Sequence, residues 1–213
     1  MRQTFLPAVV AVIGFFGLSN AGPLQTTSQW GTIDWAKRVV IATGIGAPPP
    51  NMPLAAARPN ALRAAQMTAL RNALEIVKGV PITSSTTVEQ GMMSGDIVTS
   101  RIDGFVKGFE QQGKPKYMSD MSVELTVEVP LDGELADAVL PKAVTDTPAI
   151  RKTLKDTKKK PSFTGLIVDC TGLGLKPAML PSVFDAKAAE LYGPSCISRA
   201  WAVKWGAVAY VAT

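Results

Sequence analysis

Residues 59–78 read PNALRAAQMTALRNALEIVK, and this stretch sets the architecture that we expect for the chain. Its apolar residues recur at steps of three and four, which predicts a helix with one apolar stripe made of Leu62, Ala65, Ala69, Leu70, Ala73, Leu74 and Val77. Pro59 suits the first helical turn, and Gly79 stands where a left-handed residue commonly ends a helix. Because alanine is small, the stripe predicts a helix that lies close to the surface it packs against.

Strands are predicted on both sides of this helix. Residues 32–45, TIDWAKRVVIATGI, are rich in β-branched residues and carry a glycine at their end, Gly44, which favours one strand. Residues 121–129, MSVELTVEV, alternate, with one face made of Val123, Leu125, Val127 and Val129 and the other of Ser122, Glu124, Thr126 and Glu128. The pattern predicts an α+β fold, in which the long alanine-rich helix packs on a curved antiparallel sheet and a β-rich C-terminal segment follows.

The other predicted elements are shorter. They are strands at 82–89, 162–169, 181–184 and 190–192, an extended run at 102–116 that turns at 117–120, a helix or irregular turn at 95–101, a short helix at 134–140, and turns at 172–174 and 185–189. The last residues, 206–213, are mostly apolar. They are interpreted either as a final strand or as the beginning of a pattern that continues past residue 213. The expected division is a leader at 1–21, an α+β domain at 22–140, a basic polar linker at 141–161 and the C-terminal segment at 162–213.

The first residues resemble a cleavable export signal. Arg2 supplies a positive charge, residues 5–18 form an uncharged and mostly apolar run, and Ser19 and Ala21 are small residues at the positions that a signal peptidase reads. The run is shorter than the roughly 20 residues that span a bilayer, so an uncleaved membrane anchor is the less favoured alternative. No cysteine lies near the cleavage point, which argues against lipid attachment there. We expect a periplasmic or outer-membrane-associated protein.

The composition excludes most of the known arrangements of catalytic residues. The chain has no histidine, which excludes Ser-His and Cys-His nucleophilic pairs and metal sites built on imidazole. Its two cysteines, Cys170 and Cys196, belong to a chain bound for an oxidising compartment, and we expect them to form a structural disulfide. We expect no cofactor, no metal and no small-molecule substrate.

The positive charge is concentrated in one run. The formal net charge is +5, and the run RKTLKDTKKK contributes Arg151, Lys152, Lys155, Lys158, Lys159 and Lys160. The favoured interpretation is a solvated linker. The alternative is a contact with anionic lipid, anionic polysaccharide or a partner protein. The run lacks the aromatic residues on which single strands stack, so nucleic acid is not expected as a partner.

Residues 42–50, ATGIGAPPP, raise the question of phosphate binding. Gly44 and Gly46 fit a dinucleotide fingerprint, but Pro49 takes the place of its third glycine and offers no N–H donor. The segment 172–177, GLGLKP, lacks a Walker pattern in the same way. We therefore expect these glycines to let the chain bend sharply and not to hold a phosphate.

Carboxylates are the remaining candidates for catalysis. Acidic residues occur in and beside the predicted hairpin, at Asp96, Asp103, Glu110, Asp120, Glu124 and Glu128. A glycosidase-like pair needs two carboxyl groups about 5 to 9.5 Å apart in a cleft, and nothing in the spacing requires such a pair. The expected role of Glu124 and Glu128 is to keep the exposed sheet face soluble.

The order of these motifs resembles a known family. The strand ending in GxG, the alanine-rich helix RAA…ALRNALE…VKGV and the hairpin closing in SVELTVEVPLDGEL are similar to the N-terminal domain of flagellar assembly protein T and to the outer-membrane lipoproteins of about twenty kilodaltons. The resemblance covers residues 30–140, and FTGLIVDCTGLGLKPAMLP with ELYGP resembles the tail of many secreted bacterial relatives. It implies a helix across a curved antiparallel sheet and a structural task in the periplasm or at the outer membrane.

Three functions are compatible with the sequence. The favoured one is a non-enzymatic exported structural or interaction module of the bacterial cell envelope, with a link to flagellar or surface-appendage assembly and with envelope proteins or a second copy of the chain as partners. The first alternative is a protein that binds an anionic envelope component through residues 151–160. The second is a carboxylate-dependent periplasmic enzyme.

Overall fold

The computed structural model describes residues 24–107, 110–141, 144 and 166–211. The predicted leader and nearly all of the predicted basic linker lie outside these residues. The described elements are β1 (Gln25–Ser28), β2 (Gly31–Asp34), β3 (Val39–Gly46), α1 (Leu54–Lys78), α2 (Val88–Met93), α3 (Thr99–Lys107), β4 (Glu110–Tyr117), β5 (Val123–Pro130), α4 (Glu134–Val139), β6 (Val183–Phe184), β7 (Glu190–Tyr192), a 3-10 turn (Pro194–Cys196) and α5 (Arg199–Trp205). The predicted α+β class is confirmed, with the long helix on an antiparallel sheet and a C-terminal β segment.

The main sheet has five antiparallel strands in the order β1-β2-β3-β5-β4. The prediction of one strand over 32–45 was wrong, because the chain turns back between Asp34 and Val39 and the two halves pair as β2 and β3. The Asp34 carboxylate accepts the N–H of Lys37 at 2.9 Å, and Arg38 takes a left-handed φ of 55°. Aspartate favours turns for this reason, since its side chain bonds the backbone a few residues ahead.

Helix α1 lies against β3 through small residues on both sides. Ala57, Ala61, Ala65, Ala69 and Ala73 are all buried, four residues apart along one face. This confirms the expectation of a close approach. On each turn of the helix an alanine therefore meets the sheet.

The glycines of β3 make that approach possible. A Cβ on Gly44 would lie 2.2 Å from the Ala65 carbonyl oxygen, and a Cβ on Gly46 would lie 2.2 Å from the Ala61 carbonyl oxygen. Both residues sit inside a regular strand, paired with Leu125 and Val123 of β5. The expectation that they bend the chain sharply was wrong; they are glycines because the helix backbone occupies the space of a side chain.

The ends of α1 differ from the prediction. The helix begins at Leu54, so Pro59 lies inside it and removes one backbone hydrogen bond beyond the first turn. Gly79 has a right-handed φ of −78°, and its N–H bonds to the carbonyls of Glu75 and Ile76. The predicted left-handed cap was therefore wrong, and the chain leaves the helix through a tightened last turn.

Two further helices replace predicted extended structure after α1. The strand expected at 82–89 was wrong, because Thr87 caps α2 in a capping box with Gln90. The extended run expected from residue 102 was wrong as far as 107, where α3 places Ile102 in the core. The short helix at 134–140 is confirmed as α4.

The C-terminal segment has no separate core among the described residues. It contributes Leu180, Ile197 and Ala202 to a cluster with Ala136, Leu140 and Val144.

Backbone hydrogen bonds reinforce this contact, from Met179 to Pro81, from Leu180 to Ile82 and from Gly133 to Val203. The strand expected at 162–169 and the final strand expected at 206–213 are absent from 166–169 and 206–211, the parts that the structure describes. The turns at 172–174 and 185–189 and the strand at 190–192 are confirmed.

Candidate functional site

A small cavity lies where the C-terminal segment meets the main sheet. Its volume is about 30 Å³, and Trp35, Arg38, Ala178 and Tyr210 are among its lining residues. The Tyr210 hydroxyl donates to the Ala178 carbonyl at 2.7 Å and accepts the Ala178 N–H at 2.9 Å, while its ring packs edge-on against Trp35. Burial raises the pKa of Tyr210. A cavity of this size holds about one or two waters, so it cannot take a metabolite.

An open groove of about 590 Å³ lies between α3 and α4. Asp137 lines it and bonds Arg101 and Arg199, each at 3.1 Å. The hydrogen bond from Arg101, with further help from Arg199, lowers the pKa of Asp137. A carboxyl group held ionised in this way is poorly suited to be a general acid at neutral pH. Its evident work is to hold α5 against α4.

The predicted carboxylates are distributed over the surface. Asp96 accepts from Ser94 at 2.7 Å, and Asp120 accepts from the N–H and hydroxyl of Ser122, whose side-chain bond lowers the pKa of Asp120. Glu124 pairs with Lys116 at 2.7 Å.

Two predicted acidic positions are register partners in the sheet, since Glu110 of β4 pairs with Glu128 of β5. Asp103 lies on α3, apart from this hairpin. Within the described ranges, no three acidic or cysteine side chains are grouped so that they could hold a metal ion.

Cys170 and Cys196 are free thiols and do not lie at disulfide distance. The Cys170 Sγ lies 3.8 Å from the Val168 carbonyl oxygen, and the Cys196 Sγ lies 3.8 Å from that of Leu191. The predicted disulfide is therefore not formed in this structure. The predicted anionic contact, from Arg151 to Lys160, lies outside the described residues.

The strongest surface feature is a set of exposed apolar side chains in the C-terminal segment. Ten of the seventeen exposed large apolar residues in the described part of the chain belong to it, and we call them the C-terminal apolar surface: Leu166, Ile167, Val168, Leu173, Leu175, Phe184, Leu191, Trp201, Trp205 and Val211. Ile167 is 93% exposed. Single exposed apolar residues are ordinary in soluble proteins, whereas many in one region indicate an interaction site, so this segment is the candidate site.

Helix α5 presents two tryptophans of this surface. Ser198 caps the helix, Ala202 faces the core, and the four-residue spacing therefore places Trp201 and Trp205 together on the outer side. Their ring centroids are 6.2 Å apart, and the Lys204 ammonium lies 5.0 Å from the centre of the Trp205 ring. Sequence reasoning missed this site, although the spacing of the tryptophans after a capping serine was a readable signal.

Comparisons with known proteins bear on the same segment. A family model described as Treponema pallidum Tp0624, second domain, matches residues 165–213. A search of the curated proteins gave no match. The matched residues contain the whole C-terminal apolar surface and leave out residues 30–140, on which the resemblance to flagellar assembly protein T rests. None of the helices described is both long enough and apolar enough to cross a membrane.

Proposed function

We propose that the chain is a non-enzymatic interaction module of the bacterial cell envelope and that it binds an envelope protein through the C-terminal apolar surface. One observation carries the proposal, namely the concentration of exposed large apolar side chains between residues 166 and 211. The export signal read in residues 1–21 supports the location. A part in flagellar or surface-appendage assembly is one form that this task can take.

The energetics favour a protein partner. Tryptophan is among the residues that dominate binding energy at protein interfaces, and Trp201 and Trp205 are 59% and 49% exposed. Covering apolar area contributes about 25 cal/mol per Å². Two aromatic rings and several aliphatic side chains therefore supply part of the binding free energy of an interface of standard size. Lys204 beside Trp205 adds a polar rim to this apolar centre.

Photo-cross-linking in intact cells tests the proposal. A photoreactive residue in place of Trp205 should capture protein neighbours, and the double variant Trp201→Ala, Leu191→Ala should reduce that capture. The matched control is a photoreactive residue in place of Met67, an apolar side chain of α1 that is 63% exposed but lies outside the surface.

Two results would contradict the proposal. One is capture of no protein from position 205. The other is envelope binding that survives the apolar variants but is lost with salt and with Lys158→Gln, Lys159→Gln and Lys160→Gln, which would favour the anionic contact of the basic run.

A further inference from the structure

Residues 166–177 form a loop that is rich in exposed apolar side chains and whose described hydrogen bonds are internal. Five of its side chains belong to the C-terminal apolar surface: Leu166, Ile167, Val168, Leu173 and Leu175. Its hydrogen bonds to described residues are all internal, from Leu173 to Cys170, from Thr171 to Asp169 and from Cys170 to Val168. No described hydrogen bond therefore ties the loop to the rest of the described chain. Its point of approach to the core is the half-buried Cys170, because the pKa of Tyr210 is raised by burial and, to a smaller extent, by the charged form of Cys170.

The loop is anchored at its C-terminal end. The Tyr210 hydroxyl bonds both the N–H and the carbonyl of Ala178, and Met179 and Leu180 then bond the carbonyls of Pro81 and Ile82. Ala178 lies eight positions after Cys170, and an extended chain of that length spans up to about 26 Å. The chain between them is thus long enough for Cys170 to take other positions while the anchor at Ala178 stays in place.

The second thiol lies within that reach. Ile197, next to Cys196, packs in the same cluster as Leu180, which is two residues from the anchor. Cys196 also borders a second apolar patch, because its Sγ contacts Leu191, and Leu191 and Phe184 of the β6–β7 hairpin are each 58% exposed. Each thiol is therefore attached to an exposed apolar element, Cys170 to the loop and Cys196 to the β6–β7 hairpin.

We propose that oxidation joins Cys170 to Cys196 and draws the loop over the β6–β7 hairpin, which covers part of the C-terminal apolar surface. The reduced chain presents the whole surface, and the disulfide-bonded chain presents only the part that lies outside the loop and hairpin, which is Trp201, Trp205 and Val211. Covering apolar area in water is favourable, so closure and bond formation act in the same direction. That closure controls partner binding rests on the proposed function. That oxidation changes the conformation of the loop does not depend on it.

The chemistry requires a disulfide oxidant, for which oxidised glutathione is a sufficient reagent. The thiolate of one cysteine attacks a sulfur of the oxidant, forms a mixed disulfide and releases one glutathione thiolate. The thiolate of the other cysteine then attacks the protein sulfur of that mixed disulfide and releases the second glutathione. Two protein thiols lose two protons and two electrons, and one oxidised glutathione becomes two reduced ones.

The test uses the full chain, reduced or treated with oxidised glutathione. We expect an intact mass lower by two hydrogens, a monomer on a non-reducing gel and one cross-linked peptide pair that contains Cys170 and Cys196. The fluorescence of anilinonaphthalene sulfonate, which binds exposed apolar surface, should fall by roughly half, because seven of the ten surface residues lie on the loop and hairpin. Thermolysin cleavage before Ile167 should slow in parallel.

Cys170→Ser and Cys196→Ser are the matched controls, since each keeps a side chain of similar size and should abolish both changes. Only intermolecular dimers, or an internal disulfide with unchanged dye binding and cleavage, would overturn the inference. Equal capture of partners by the oxidised and reduced chains, with closure observed, would overturn the control of binding and leave the conformational change. Closure without any captured partner in either state would instead count against the proposed function.

Discussion

The contact between α1 and β3 and the C-terminal segment use apolar residues in opposite ways. In the first, five alanines and two glycines are fully covered, and the two backbones touch. In the second, large side chains such as Trp201 and Ile167 face solvent, and burial depends on a cluster shared with α4. Burial in this protein therefore depends on whether two surfaces have complementary shapes, and not on how many apolar residues a segment contains.

The largest loss of stability is expected from a substitution in the contact between α1 and β3. Gly44→Val should cost about 3 kcal/mol or more of the free energy of unfolding, or prevent folding, because its side chain would overlap the helix backbone at Ala65 and Ala69. Denaturant unfolding measures the change. The control is Thr43→Val on the exposed side of the same strand, where a change below about 1 kcal/mol is expected. A Gly44→Val protein as stable as the parent would refute the close-approach account.

A smaller loss of stability is expected where the C-terminal segment joins the rest of the fold, at Arg199. Arg199 bonds the Asp137 carboxylate at 3.1 Å and the carbonyls of Leu140 and Pro141 at 3.2 and 3.3 Å. Arg199→Met should cost about 1.5 to 3 kcal/mol, since these are charge-assisted bonds.

Hydrogen exchange should show the loss in 199–205 more than in 54–78. Arg63→Met, on the exposed face of α1, is the control. Equal loosening of both regions would show that they unfold as one unit and not as the separable parts we describe.

The smallest effect concerns acid. The hydrogen bonds from Arg101 and Arg199 lower the pKa of Asp137 below its unfolded value of 3.8. The corresponding stabilisation is fully present above that unfolded value and is lost as the pH falls through the lower, folded value. The C-terminal segment should therefore loosen at acid pH, which tryptophan fluorescence of Trp201 and Trp205 can follow. In Asp137→Asn this acid-dependent step should disappear, and a step of unchanged size would assign it to other groups.

Local patterns in the sequence predicted those elements whose signal lies in the element itself. The alternation of Val123, Leu125, Val127 and Val129 gave β5, because one face of a half-buried strand repeats every second residue. The helix of residues 59–78 was found in the same way, while its start was missed because Pro59 was taken for an N-terminal residue. The capping box of Thr87 and Gln90 was present in the sequence and was overlooked in favour of β-branched composition.

The candidate site was less accessible to such reasoning. Exposure of Trp201 and Trp205 depends on which side of α5 meets the cluster of Leu180 and Ile197, and that contact joins distant parts of the chain. The state of Cys170 and Cys196 likewise depends on where a loop lies in space, which cysteine count and compartment do not reveal.

Periodicity and composition were enough to predict the α+β class, the long alanine-rich helix, the alternating strand and the absence of histidine chemistry, because they can be read from the residues without any knowledge of long-range contacts. Three features could be seen only in the folded chain: Gly44 and Gly46 make room for a helix, residues 32–45 fold back as two strands, and a particular set of apolar side chains stays in water. These outcomes depend on steric fit between segments far apart in sequence, and no local pattern records that fit.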